Sequence, residues 1–352
     1  MKSLQVLGLI FLAAATVHSQ PTNGPVYWSP VSSPPDCSSL MDNESAVGIL
    51  NGSGTTIGYS CYVSGTFVWL AAGGPWGSSI RVAAPTSAPI GVDYTFFDTN
   101  GNNLSLDTTC SGGVVCYSGG SNDVNFALSA NQPAEIDLLG AAGTSHGATE
   151  TGSVYTVFFC PDAITCGNVL PQLLYSALPT IPWSLSVPIA WDDALSTTWS
   201  AEGIDDGGSH RVSFVVYNED TTTTASTSFN VYVYDSAGNL AGTGTTPPIP
   251  PIPVLSDGSY GEAGTYGNVL SQVIKTPLPS GVFKILVDGG PNGIYSAVEV
   301  LQFTGSSATT LQVAYDSPPT ASASAIAASR RPTGRRARAL SPPKRVPGTL
   351  IR

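Results

Sequence analysis

Two stretches of this chain, 134 to 137 residues apart, repeat one pattern. The first runs Gly73-Gly74-Pro75-Trp76-Gly77-Ser78-Ser79-Ile80-Arg81-Val82, then Val92-Asp93-Tyr94-Thr95-Phe96-Phe97-Asp98-Thr99-Asn100-Gly101-Asn102. The second runs Gly207-Gly208-Ser209-His210-Arg211-Val212-Ser213-Phe214-Val215-Val216, then Phe229-Asn230-Val231-Tyr232-Val233-Tyr234-Asp235-Ser236-Ala237-Gly238-Asn239. Each pairs a Gly-Gly entry and an apolar run with a second run that closes on Asp-x-x-Gly. A chain that repeats a unit at this spacing is expected to build one module twice. His210 then holds the position of Trp76.

The module is expected to be β. Val92, Tyr94 and Phe96 alternate with Asp93, Thr95 and Phe97, and Phe229, Val231 and Val233 alternate with Ser228, Asn230 and Tyr232. Period two places one face on a core and the other towards solvent. Further strands are expected at Ala134 to Leu139, Ser153 to Phe159, Gly281 to Asp288 and Ile294 to Phe303. Asp-x-x-Gly directly after a strand reads as a hairpin turn, since Asp and Asn tolerate left-handed backbone and Gly adopts it freely. Many short runs punctuated by Gly, Asn, Pro and Ser predict an all-β fold of two tandem antiparallel β-sandwich (immunoglobulin-like) domains. Charged residues make up only 11% of the chain, so long solvated helices are not expected.

Residues 1–19 read as a secretory signal peptide. Lys2 precedes an apolar run from Val6 to Ala15, and Val17 and Ser19 suit a cleavage site before Gln20. That run is shorter than the roughly 20 residues a membrane span needs. The six cysteines, Cys37, Cys61, Cys110, Cys116, Cys160 and Cys166, agree with an oxidising destination, extracellular or periplasmic. An even count predicts three disulfides, and sequence alone leaves fifteen connectivities open. Proximity favours Cys110–Cys116 and Cys160–Cys166, leaving Cys37–Cys61. Two C-x5-C pairs without nearby histidines do not match a zinc site.

The Pro/Ser-rich residues 20–37 are expected to be extended. The first module is placed at 38–176 and the second at 183–316, with the break where Pro179 and Pro182 interrupt the strand pattern. Pro247 to Pro253 reads as a polyproline excursion between strands of the second module. The repeated Gly-Gly, aromatic or His, strand, strand, Asp-x-x-Gly order resembles tandem β-sandwich modules of mostly uncharacterised secreted bacterial proteins. The resemblance covers both modules and is strongest at 73–104 and 207–242. It implies a fold and carries no catalytic residues over.

Few catalytic patterns occur in the sequence. It contains no H-E-x-x-H and no nucleotide-binding loop, and its one G-x-S-x-G, Gly143-Thr144-Ser145-His146-Gly147, lies in a run of Gly, Ser and Thr that reads as a solvated loop. Beyond the leader only His146 and His210 remain. His210 is expected to pack at a strand edge, and His146 to lie in a solvated loop. Asp98, Asn100 and Asn102 alternate like oxygen ligands and form a calcium candidate, but an EF-hand needs Gly at the sixth position and Glu at the twelfth, and a turn explains them better. Asp205-Asp206-Gly207-Gly208 has the same ambiguity. Tyr232 and Tyr234 fall opposite the apolar face of their strand, so they are candidate ligand-binding residues that could stack on sugar rings or anchor a protein. Asn43, Asn51 and Asn103 head sequons for N-glycosylation. No cofactor is called for.

From Gln20 to Ser329 the chain holds 24 acidic residues and four basic ones, Arg81, Arg211, Lys275 and Lys284. The last 23 residues hold eight basic side chains and no acidic one. So acidic a body repels nucleic acid. Residues 317–352, Ala/Ser-rich and then basic, are expected to be disordered. The sequence therefore predicts a secreted, non-catalytic structural, adhesive or ligand-binding protein whose partner is an extracellular protein or glycan. A glycan-binding protein using the tyrosines, and a hydrolase with an unrecognised carboxylate pair, are the alternatives.

Overall fold

A computed structural model of the chain describes residues 30–40, 46–50, 56–85, 88–112, 122–177, 181–191, 198–206, 209–218, 225–253, 261–290, 296–304 and 307–312. Residues 1–29, Asn43, Asn51, Cys116, Gly207, Gly208 and the basic stretch from Arg330 onwards lie outside these described residues.

Nineteen strands follow in chain order among the described residues. They are β1 (Val47–Leu50), β2 (Thr56–Ala72), β3 (Trp76–Ala83), β4 (Ile90–Asp98), β5 (Leu106–Ser111), β6 (Asp123–Leu128), β7 (Pro133–Ala141), β8 (Glu150–Cys160), β9 (Gln172–Ala177) and β10 (Ile181–Pro188). Then come β11 (Ala190–Trp191), β12 (Thr198–Ile204), β13 (His210–Asn218), β14 (Asn230–Tyr234), β15 (Leu240–Thr245), β16 (Gly264–Val269), β17 (Val282–Asp288), β18 (Ser296–Thr304) and β19 (Ser307–Gln312). Two short helices, α1 (Ala163–Gly167) and α2 (Leu270–Val273), interrupt them.

All strand pairs are antiparallel and make four sheets. Sheet 1 has the order β10-β9-β3-β7-β5, and sheet 2 the order β1-β2-β8-β4-β6 with β11 also on β2. Sheet 3 is β16-β13-β18-β19, and sheet 4 is β12-β17-β14-β15. Strand neighbours recur between the two pairs of sheets. β2–β8–β4 has the arrangement of β12–β17–β14, and β10–β9–β3–β7 that of β19–β18–β13–β16. Trp76 and His210 both open their strands, at matching places.

Each pair of sheets encloses a core. Between sheets 1 and 2 lie Phe67, Ile80, Tyr94, Phe96, Ile136 and Phe158, and between sheets 3 and 4 lie Trp199, Phe214, Phe229, Val231, Phe283 and Ile285. The alternation read in the sequence produces the second core directly, with Val231 and Val233 buried and Asn230 exposed.

β4 departs from its expected solvent face. Asp93, Thr95 and Phe97 are only 4%, 6% and 5% exposed. The outward side of sheet 2 is itself buried, in part under sheet 3. Phe97 joins a second buried cluster with Val47, Ile49, Tyr62, Tyr155, Val157 and Phe159. At the β2 side of the same face, sheet 3 docks. Val68 of β2 is buried in the second core, and the Trp69 ring packs against both cores. Thr66 Oγ1 lies 3.4 Å from the Tyr217 hydroxyl, which donates to the fully buried Glu262 carboxylate. The Asp98 turn completes the contact, because the backbone N–H groups of Glu262 and Thr265 donate to the carbonyls of Gly101 and Thr99.

Strand pairing runs across residues 176–183, where the sequence places the module break. β9 and β10 pair across it from Ala177–Ile181 onwards, and β11 pairs with β2, so the first pair of sheets extends to Trp191. Pro182 reads as a strand breaker, yet β10 is an edge strand, where a missing N–H costs no ladder bond, and its register shifts there. Residues 247–253 also differ from a free excursion. Ile249 is buried in the second core and pairs with Thr227, while the Pro250 and Pro253 carbonyls accept from Gly264 and Gly261.

Two disulfides fasten the first unit. Cys37–Cys61 ties the entering segment to β2, and Cys160–Cys166 closes the end of β8 over α1, with Cα separations of 5.6 and 5.4 Å. The Asp162 carboxylate caps α1 by accepting from the Thr165 N–H and hydroxyl. Cys110 is also disulfide-bonded, and Cys116, its expected partner, lies outside the described residues.

Two stability tests follow from this packing. The Tyr94 hydroxyl is buried in the first core without a hydrogen-bond partner, and burial pushes its phenol well above the ordinary pKa. Its ring meets Phe126 and Phe158 edge-on. Tyr94→Phe removes an unsatisfied polar group and keeps the ring, so stability in denaturant melts should stay level or rise by about 1 kcal/mol. A loss of that size would reveal a hidden partner.

Glycines at equivalent turn positions provide the second test. Gly101 and Gly238 both hold positive φ, +80° and +83°. A Cβ on Gly238 would meet nothing within 4 Å, whereas one on Gly101 would collide with the Glu262 carbonyl. Gly238→Ala should cost the backbone penalty alone, about 1–2 kcal/mol. Gly101→Ala should cost clearly more, and equal losses would show that the docked turn yields freely.

Candidate functional site

The outward face of sheet 4 carries the tyrosines singled out in the sequence. Its strands alternate, so Phe229, Val231 and Val233 turn inward while Tyr232 and Tyr234 turn outward and are half-buried. Across the sheet Tyr234 stands in register with Lys284, and Lys284 with Glu202. One row along, Tyr232 stands opposite Leu286, and Leu286 opposite Ser200. The Asp235 turn and the start of β17 border this face. Together they form an open groove of about 550 Å³, lined by Glu202, Tyr234, Asp235, Val282, Lys284 and Leu286, with Ser236, Gly238 and Phe283. Val282 and Leu240 are 48% and 54% exposed.

The chemistry available is mixed. Tyr234 offers a ring face with a hydroxyl, Lys284 three donors, and Glu202 two acceptors. Asp235 is committed to its own turn. Its Oδ1 accepts from the N–H groups of Ala237 and Asn239, and its Oδ2 from the Asn239 side chain. The backbone and side-chain donors of Asn239 hold its pKa below the ordinary carboxylate value.

Asp98 makes the same turn in the first unit. Its carboxylate accepts from the N–H groups of Asn100 and Asn102 and from the Asn102 amide. The calcium candidate Asp98, Asn100 and Asn102 is thus brought together as an Asx-type turn, with its acidic oxygens satisfied by N–H donors. Among the described residues no group of three or more His, Cys, Asp or Glu side chains is placed to hold a metal ion.

Both histidines are paired with aspartates, a feature that sequence reasoning missed. His146 Nε2 lies 2.9 Å from Asp107 Oδ2, and the His146 carbonyl accepts from Gly74, so this loop folds back over the Gly-Gly entry. His210 Nδ1 lies 2.9 Å from Asp206 Oδ2 and 3.1 Å from Ser209 Oγ. A Ser-His-Asp relay needs acid and hydroxyl on opposite ring nitrogens, and here both crowd one. Asp206 Oδ1 also accepts the His210 N–H, which makes the group a clasp at the mouth of β13. The buried Asp205 carboxylate accepts the Val212 N–H on the next residue pair. No signal in the sequence distinguishes such clasps from catalytic clusters, because residue types match and only geometry differs.

No protein-family model matches the chain, and no curated protein matches it. Among the described residues no helix is long and apolar enough to cross a membrane.

The turn geometry is checked by titration. A carboxylate held by three N–H donors should titrate, by side-chain carbon NMR, below a free Asp at about 3.9. Because its folded pKa is depressed, its stabilising effect is present above the unfolded value and is lost as pH falls through the folded one. Asn239→Ala should return the Asp235 midpoint towards the free value. An Asp235 midpoint at or above that value in the unaltered protein would overturn the turn assignment.

Proposed function

We propose that the chain is a secreted, non-catalytic binding or adhesion protein of two immunoglobulin-like sandwich modules, whose contact surface is the outward face of sheet 4 beside Tyr234. The observation that carries this reading is the grouping of Tyr232, Tyr234, Leu286 and Val282 on an open face, with Lys284 among them and Glu202 on the neighbouring edge strand. Secretion is supported by the apolar leader at the N-terminus and the disulfides. The non-catalytic reading is supported by the clasped histidines. The second reading, a saccharide ligand, is favoured by the half-exposed Tyr234 ring beside Glu202 and Lys284, a combination suited to stacking a pyranose and bonding its hydroxyls.

Retention on a panel of insoluble polysaccharides, with turnover measured on soluble fragments, tests these readings. Retention should fall at least tenfold in Tyr234→Ala, and no fragment should be cleaved. Retention undiminished by that change would move the surface elsewhere. Retention on none would sink the saccharide reading, and sustained cleavage would sink the non-catalytic one.

A further inference from the structure

Strand correspondence gives the sheet 4 face a counterpart that another sheet of the chain covers in part. By position in its sheet, β4 matches β14, β8 matches β17 and β2 matches β12. Counted from Asp98 and Asp235 and followed through the cross-strand registers, Phe97 corresponds to Tyr234, Tyr155 to Leu286, and Thr66 to Ser200. The first set lies on the outward face of sheet 2, which is buried, and whose β2 side receives another sheet of the same chain. The turn of that unit gives its Thr99 and Gly101 carbonyls to sheet 3. The equivalent Asp235 turn stands open at the groove.

Resting on the reading of this face as the contact surface, we propose that its occupant is the same face of a second copy, giving a twofold dimer through sheet 4. The alternative docking, on sheet 1 of another copy, is closed by the residues of that sheet. Sheet 3 meets sheet 2 with Val215, Tyr217, Gly267 and Thr265. Their counterparts in sheet 1 are Arg81, Ala83, Glu135 and Pro133, paired in the same register. Arg81 and Glu135 form a 3.0 Å ion pair on that surface, and Pro133 has no N–H to replace the one Thr265 donates. A face that cannot extend a head-to-tail series can still close on itself. Sheet 4 is self-complementary for that purpose. Lys284, one of four cations in an acidic body, lies beside Glu202, so a twofold axis across the row can set each lysine against the partner's carboxylate while Tyr234, Leu240 and Val282 leave water.

Sedimentation equilibrium of the secreted chain, at about 1 to 100 µM and 0.15 M salt, tests the proposal. The expected mass is that of two chains at the upper end. Val282→Glu and Leu240→Glu, both at exposed positions, should weaken association at least tenfold, while Ile164→Glu, 75% exposed and remote on α1, should leave it unchanged. Lys284→Glu should weaken it, and adding Glu202→Lys should restore it. A monomer at every concentration, an open-ended series of masses, or equal weakening by Ile164→Glu would overturn the dimer. Polysaccharide retention separates the two ideas. A monomer whose retention is lost in Tyr234→Ala keeps the surface and replaces the partner by a glycan, whereas a monomer with unaffected retention overturns both.

Discussion

The contact between sheets 2 and 3 is the constraint on which the rest of the molecule depends. A two-sheet sandwich ordinarily leaves each outward face to solvent. Here β2 runs for seventeen residues and supplies one core with Phe67 and Leu70 and the other with Val68. Alternation turns Val68 away from Phe67, and the bulge between Phe67 and Leu70 brings Leu70 back to the first core. The cost is a set of buried polar groups, and the structure meets part of it locally. Tyr217 donates to Glu262, whose carboxylate also accepts the Ala263 N–H. The two cores therefore share side chains, and loosening one loosens the other.

The Asp-x-x-Gly turn shows how little of a residue's role is local. Asp98 and Asp235 accept the same three donors, and their glycines hold nearly the same φ. One turn is pinned under the Glu262 carbonyl, and the other borders an open groove. Local chemistry sets the conformation, and the surroundings decide whether that conformation is a structural wedge or part of a free surface.

This division explains what could be read in the chain. Period-two alternation located β14 and the inward set Phe229, Val231 and Val233, and the runs at β7, β8, β17 and β18 lie close to their expected bounds. Alternation failed on β4 because period two reports which side chains share a face, and Phe97 is apolar on the face opposite Phe96. Gly-Ser-Val-Tyr-Thr-Val-Phe-Phe-Cys in β8 carried the missing hint, since a strand apolar on both sides is covered on both. Pro182 misled for a related reason. A proline marks the end of a central strand but is tolerated on an edge, and edge position is a property of the sheet rather than of the sequence around it. At the candidate site, the outward tyrosines were legible from alternation. Lys284, Glu202 and Val282 were not, because cross-strand register joins residues some eighty positions apart.

The two ends of the stack are built differently, and charge placement is the means. Sheet 1 turns Arg81, Glu135 and Asp137 outward, and Ser79 adds a hydrogen bond to Glu135. Arg81 and Ser79 hold the Glu135 carboxyl below its ordinary pKa, so the face stays ionised through mild acid. Desolvating such a pair against another sheet would cost more than the contact returns. Pro133 removes the remaining main-chain donor at the docking position. Sheet 1 thus has the polar character of a terminal repeat in a stacked array. Sheet 4 also turns a cation and a carboxylate outward, Lys284 and Glu202, but it leaves Leu240 and Val282 exposed and Tyr234 half-buried beside them. In a body this acidic, mutual repulsion already keeps copies apart at most surfaces. The face around Lys284, where that lysine offsets part of the charge of Glu202 and Asp235 and where Leu240 and Val282 stand exposed, is then the one on which the proposed contact rests.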